Sequence, residues 1–193
     1  MYSTDEQGSK IVYRDRLEDV SISMDRGQCL GLAGFEEPPA ISWPGDFMSA
    51  FQHPLRTLPL RDLAQGAGRV AIHVSDSTRG VPTAKVMPMI LEELSAAGIG
   101  PGDITVFVAT GVHRPATEDE IRGIMGKEHL GGLPCVISHD PYDPGKLVYI
   151  GTTSYGTPVE VSRTVYEADF RITIGKVEPH EFAGLQVDQR DEL

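Results

Sequence analysis

A chain of 193 residues with 40% hydrophobic and 23% charged residues has the size and make-up of one globular domain with its own core. Its 17 Lys and Arg against 28 Asp and Glu leave a net charge of −11, a poor match for nucleic acid or an anionic membrane surface, both of which need clustered positive charge. No stretch approaches the roughly 20 apolar residues of a bilayer span, residues 1–10 lack the apolar run of a secretory signal, and two cysteines, Cys29 and Cys135, make neither a disulfide scaffold nor a zinc site; the expected location is cytoplasmic.

In chain order, residues 11–13 and 20–24 read as short strands, Ile22 and Met24 alternating with serines. Pro38, Pro39 and Pro44 break any regular element across 34–45. Residues 55–64, with Leu58, Leu60 and Leu63 at loose helical spacing, read as a short helix ended by Gly66 and Gly68. From residue 70 the pattern sharpens. Residues 70–74 read as a buried strand, and 83–97 as a helix with Val86, Met89, Ile90 and Leu94 on one face and Gly98 as its stop. Residues 104–109 read as a second buried strand. Thr117 with Glu120 forms a capping box that opens the next helix. Residues 135–138 read as a third strand, 147–150 and 159–161 as a hairpin around Gly156, and 170–174 as a buried strand ending at Gly175. This alternation predicts an α/β fold: a parallel or mostly parallel, Rossmann-like sheet with helices on both faces.

In such a sheet the ligand sits at the carboxyl ends of the strands. Four loops there carry chemistry: Ser75-Asp76-Ser77-Thr78-Arg79, Thr110-Gly111-Val112-His113-Arg114-Pro115, His139-Asp140, and Lys176-Val177-Glu178-Pro179-His180. Each residue also has a plainer role open to it. Asp76 suits the cap of the following helix, His139 beside Asp140 suits a solvated turn, and Arg79, His113 and His180 could each be surface residues. His73, in mid-strand, reads as packed core, as do both cysteines; His53 and His129 read as surface residues. No G-x-G-x-x-G follows a strand, and G-x-x-x-x-G-K-[ST], G-x-S-x-G and H-E-x-x-H are missing from the sequence. An arginine fork grips a carboxylate, and paired imidazoles on opposite faces of one carbon suit a racemase. Ligation of a metal by His113, His139 or His180 with Asp140, in a hydrolase, is the other use of the same groups.

In order and spacing these loops resemble the nickel-pincer lactate racemases. The resemblance rests on Ser75-Asp76-Ser77-Thr78-Arg79 with Pro82, Gly111-Val112-His113-Arg114-Pro115-Ala116-Thr117, His139-Asp140, and Gly175-Lys176-Val177-Glu178-Pro179-His180-Glu181-Phe182-Ala183-Gly184. The upstream Pro59-Leu60-Arg61-Asp62-Leu63 agrees, and the match runs over residues 50–184. It implies interconversion of the enantiomers of a small 2-hydroxy acid, with hydride carried by a nickel-pincer nucleotide. It also implies that His113 and His180 are the paired acid/bases and that Arg79 grips the substrate carboxylate. Asp76 and Thr78 would order their loop and approach the cofactor, with Arg114 and Glu178 in supporting positions behind them.

One departure stands out. Gly184 is followed by Leu185-Gln186-Val187-Asp188-Gln189-Arg190-Asp191-Glu192-Leu193. The family has a cofactor-tethering lysine about where Arg190 stands, and a nickel-ligating histidine further on. The expectation is therefore one first domain over residues 1–193, with the second domain absent and the chain inactive alone. A split enzyme completed by a partner chain comes next, and a small-carboxylate-binding module after that. Phe182 and Leu185 are expected to lie on an apolar face that the rest of such a protein would cover.

Overall fold

The computed structural model describes residues 2–4, 10–14, 19–23, 42–126, 135–180 and 184–187, with backbone alone for 178–180, 184–187 and parts of the first three strands. The backbone divides into two units, Met1–Ser42 and Trp43–Leu193. In the first, β1 (Tyr2–Thr4), β2 (Lys10–Arg14) and β3 (Asp19–Ser23) pair antiparallel in that order. β2 covers the strand read at 11–13, and β3 covers 20–23 of the one read at 20–24, Met24 lying outside the described residues. β1 is only three residues long, too short to show an alternating pattern.

The second unit runs α1 (Gly45–Gln52), α2 (Leu60–Leu63), β4 (Val70–Ser75), α3 (Thr83–Ala96), β5 (Ile104–Ala109), α4 (Glu118–Met125), β6 (Cys135–Ser138), β7 (Leu147–Thr152), β8 (Pro158–Ser162), α5 (Arg163–Tyr166), β9 (Phe170–Ile174), β10 (Val177–His180) and β11 (Gly184–Val187). β6, β5, β4 and β9 form a parallel sheet in that order, as the alternation of elements predicts. Strand order runs outward from β4 through β5 to β6, then jumps back so that β9 lies on the other side of β4. That reversal opens a crevice beside the carboxyl end of β4.

Period-two alternation gives the sheet two different faces. Val70, Ile72 and Val74 align with Ile104, Val106 and Val108 on one side and with Phe170, Ile172 and Ile174 on the other. This face packs against Val86, Met87, Ile90 and Leu94 of α3 and Met125 of α4 in one apolar cluster. The helix stops where Gly98 takes φ +86°, a conformation that costs glycine nothing. The opposite face carries Ala71, His73, Phe107 and Arg171. There the cover is the antiparallel β7–β8 hairpin and the single turn of α5, with a cavity of about 960 Å³ beneath them lined by His73, Phe107, His139, Val161 and Tyr166 among others. His73 is buried, as expected of a core histidine; its ring lies 5.2 Å from that of Phe107.

Three expectations need correcting. The helix read at 55–64 shrinks to the four residues of α2, because Pro59 fixes its start and 55–58 form a turn. An eight-residue helix, α1, stands just before it, and its Phe47 and Phe51 pack against the main cluster. Pro44 does not break α1. It sits at the N-cap, where a missing N–H costs nothing. Cys135 is exposed rather than core, since it opens the edge strand β6. Cys29, His129 and Phe182, and the side chain of Leu185, lie outside the described residues. Among the described residues no helix is long and apolar enough to cross a membrane.

Candidate active site

β4 and β5 are neighbours in register, with Ser75 opposite Ala109 at their carboxyl ends. Their following loops therefore start side by side. In the first loop Asp76 turns back on its own chain: Oδ1 accepts hydrogen bonds from the Thr78 N–H at 2.9 Å and the Thr78 hydroxyl at 2.5 Å. In the second, Gly111 adopts φ +53°, which lets the chain reverse at once, and the His113 N–H donates to the Thr110 carbonyl at 2.9 Å. These two turns bring together residues 37 apart in sequence. His113 Nδ1 lies 2.8 Å from Asp76 Oδ2.

A carboxylate is an acceptor only, so Nδ1 carries the proton and Nε2 is left as the exchanging nitrogen. The Asp76 side chain is 10% exposed and that of His113 is 48% exposed. Burial pushes the Asp76 carboxyl up, but the hydrogen bonds from Thr78 and His113 outweigh it and hold the group below the usual carboxylate range. Asp76 therefore stays ionised and acts as a fixed acceptor for the imidazole.

Around the pair lies a cavity of about 310 Å³ lined by Asp76, Ser77, Thr78, Thr110, His113, Arg114, Ala116 and Glu120. Its walls are tied to neighbouring elements. The Thr110 hydroxyl donates to the His139 carbonyl at 3.3 Å, and the Ala116 N–H donates to Ser138 Oγ at 2.8 Å. Arg114 places both terminal nitrogens on Glu120, at 2.9 and 2.8 Å. Glu120 also closes the capping box of α4, accepting from the Thr117 N–H at 2.8 Å. The Arg114 hydrogen bonds and then the Thr117 N–H pull the Glu120 carboxyl down to about 2.

Among the residues singled out from sequence, Asp76, Thr78, His113 and Arg114 meet at this cavity. Arg79 belongs to the same loop, its N–H donating to the Asp76 carbonyl at 3.3 Å, but its side chain does not line the cavity. His180 and Glu178 stand on β10, which follows β9 after two residues and pairs with β11, His180 opposite Gly184 and Glu178 opposite Gln186. β9 flanks β4, so this segment leaves the same edge of the sheet; the side chains of both residues lie outside the described set. His139 goes elsewhere. Its ring lies 5.5 Å from Phe107, in the larger cavity behind the sheet. Asp140 accepts from the Tyr142 N–H and faces Lys146 at 3.6 Å. Among the described residues no three His, Cys, Asp or Glu side chains converge to hold a metal ion. Ser138 and Glu120 contribute to the site without having been expected to: Ser138 looks like any strand-end serine, and Glu120 shows in the sequence only as a helix cap.

Residues 31–187 match the lactate racemase N-terminal domain family. The chain is 33% identical over 136 residues to a lactate racemase of Thermoanaerobacterium thermosaccharolyticum, covering 70% of this chain and 32% of that protein. It is 30% identical over 144 residues to a lactate racemase of Lactiplantibacillus plantarum, covering 75% of this chain and 34% of that protein. The solved lactate racemase apoprotein of T. thermosaccharolyticum superposes with a TM-score of 0.65 at 31% identity, over 72% of this chain and 33% of that one. A protein from Thermotoga maritima shares the fold, with a TM-score of 0.54 at 21% identity over 65% of this chain and 34% of that one. The chain spans about a third of the length of the curated relatives it matches.

Proposed function

The chain belongs to the lactate racemase N-terminal domain family, and on that premise we propose that it supplies the binding and proton-transfer half of a racemase site for a small 2-hydroxy acid. The observation that carries this reading is the hydrogen bond between His113 Nδ1 and Asp76 Oδ2 at 2.8 Å, in two loops at one edge of a parallel sheet. An imidazole fixed at Nδ1 presents a single nitrogen to a substrate, and its ring cannot drift between tautomers. Nε2 of His113 would then take and return the proton of the 2-hydroxyl for one enantiomer. His180, on the segment that leaves β9, would do the same from the other side, with Glu178 behind it. Arg79 would hold the carboxylate by its planar fork.

Removal of hydrogen from C2 is beyond histidine. In this family it is the work of the nickel-pincer nucleotide. The described residues do not fit that group, since they offer no converging set of ligands. The steps that fall to them are binding and proton steps, and the reading includes a further domain or partner chain that supplies the cofactor's anchor.

The test is racemisation of D- and L-lactate and related 2-hydroxy acids, followed by chiral chromatography. The protein is prepared with nickel and the pincer nucleotide, in the presence of whatever chain completes it. Turnover that falls for opposite enantiomers in His113→Gln and His180→Gln is the expected result. A preparation that holds the cofactor in stoichiometric amount and racemises nothing in the panel would sink the enzymatic reading. Binding of the same acids by calorimetry, lost in Arg79→Ala, would then leave a carboxylate-binding module.

A further inference from the structure

We propose that Arg114 is a positioning residue for His113, acting through Glu120 at the start of α4, and not a second arginine for the substrate. This rests on the reading of His113 as the proton carrier. Both terminal nitrogens of Arg114 are taken by the two carboxylate oxygens of Glu120, and one of them also donates to the Pro115 carbonyl at 3.0 Å. The end-on face of this fork is closed on a carboxylate, which leaves only the Nε side for any second anion. Glu120 in turn is fixed to the helix, through the Thr117 N–H at 2.8 Å and the Thr117 hydroxyl at 3.1 Å.

The catalytic loop is thus tied on both sides of His113. Upstream, Thr110 holds it to the His139 carbonyl; downstream, Arg114 holds it to α4 and Ala116 holds it to Ser138. His113 itself is half exposed, and its ring is held by the bond to Asp76. Packing alone does not set its place, so the backbone of the adjacent residue has to. Arg114 is that adjacent residue. Its ion pair is largely exposed and so contributes little to global stability. Its effect is to keep His113 Nδ1 within reach of Asp76.

The experiment reads the His113 ring directly, by long-range proton–nitrogen spectra of the labelled chain at mildly alkaline pH, with His113→Gln to assign the signals. In the unaltered chain His113 is expected to hold its proton on Nδ1. Arg114→Lys, which keeps the charge and loses the fork, and Glu120→Gln are each expected to shift the ring away from the Nδ1–H tautomer toward Nε2–H. Thr117→Ala, which breaks the N-cap but leaves the fork, is expected to lower Tm with the His113 signals unmoved. A folded Arg114→Lys or Arg114→Ala chain, judged by far-ultraviolet circular dichroism, with His113 signals like those of the parent overturns the proposal. Asp76→Asn separates the two levels. If it moves the His113 signals while the Arg114 variants do not, only the positioning role fails; if Asp76→Asn also leaves them in place, the reading of the dyad fails with it.

Discussion

Arg61, in the single turn of α2, closes a two-armed hydrogen bond on Glu93 of α3, one arm from Nε at 2.9 Å. Glu93 is only 4% exposed, so without Arg61 it would be a carboxylate set against an apolar helix face. The Arg61 hydrogen bond holds its carboxyl below the usual range, against burial, which pushes the other way. A lowered folded-state pKa means stability that is present above the unfolded value and lost as pH falls through the folded one. Arg61→Ala should therefore lower Tm at neutral pH by roughly 2–10 °C. The gap to the parent should narrow as pH drops below the ordinary Glu value of about 4.3, and a gap that stays constant to pH 2 counts against the ion pair.

Asp76→Asn tests the dyad in the assembled enzyme. An amide can donate to Nδ1 and so favours the wrong tautomer of His113, with the ring still in place. The expected effect is a fall in kcat of about 100-fold or more, the usual worth of a positioned acid/base, with KM little changed. Retained kcat with raised KM would place Asp76 in ground-state binding instead.

Arg79→Lys and Arg79→Ala address the substrate. Losing charge-assisted hydrogen bonds to a carboxylate weakens binding by about 10–100-fold. Calorimetry or KM with lactate should show this for the alanine variant, and most of it for lysine, which cannot present a fork. A lysine variant with parental affinity would mean that Arg79 supplies charge alone.

Much of the fold from residue 70 onward could be read from sequence, and the reason is physical. β4 and β5 are mostly apolar, broken by His73, Ser75 and Thr105, because both faces of a parallel sheet are covered, and Thr117 with Glu120 is a capping box whose geometry is entirely local. α1 was hidden because a proline before a helix and a proline inside a loop look alike in one sequence. The Asp76–His113 pair was only half visible. Each loop advertised its chemistry, but the contact depends on the register of Ser75 with Ala109, which no local pattern states. Arg114 reads from the sequence as a supporting residue, but its partner Glu120, six residues on, shows there only as a helix cap.

Glu120 also gives a pH signature distinct from that of Glu93. Its carboxyl is drawn down to about 2 by Arg114 first and the Thr117 N–H second. The stability it lends, small for so exposed a pair, is then complete above the ordinary Glu value of about 4.3 and is lost as pH falls toward 2. Glutamine at this position keeps the reach of a capping-box partner but removes the charge. The Tm difference between the parent and Glu120→Gln should therefore be flat above about pH 5 and shrink steadily between there and about pH 2. Thr117→Ala leaves the carboxylate and its arginine in place, removes an acceptor that does not titrate, and costs about 1 kcal/mol of cap. Its Tm deficit should persist through the same acid range. If the two variants instead lose their deficits together, the low pKa of Glu120 comes from the helix terminus as a whole and the Arg114 fork adds nothing of its own.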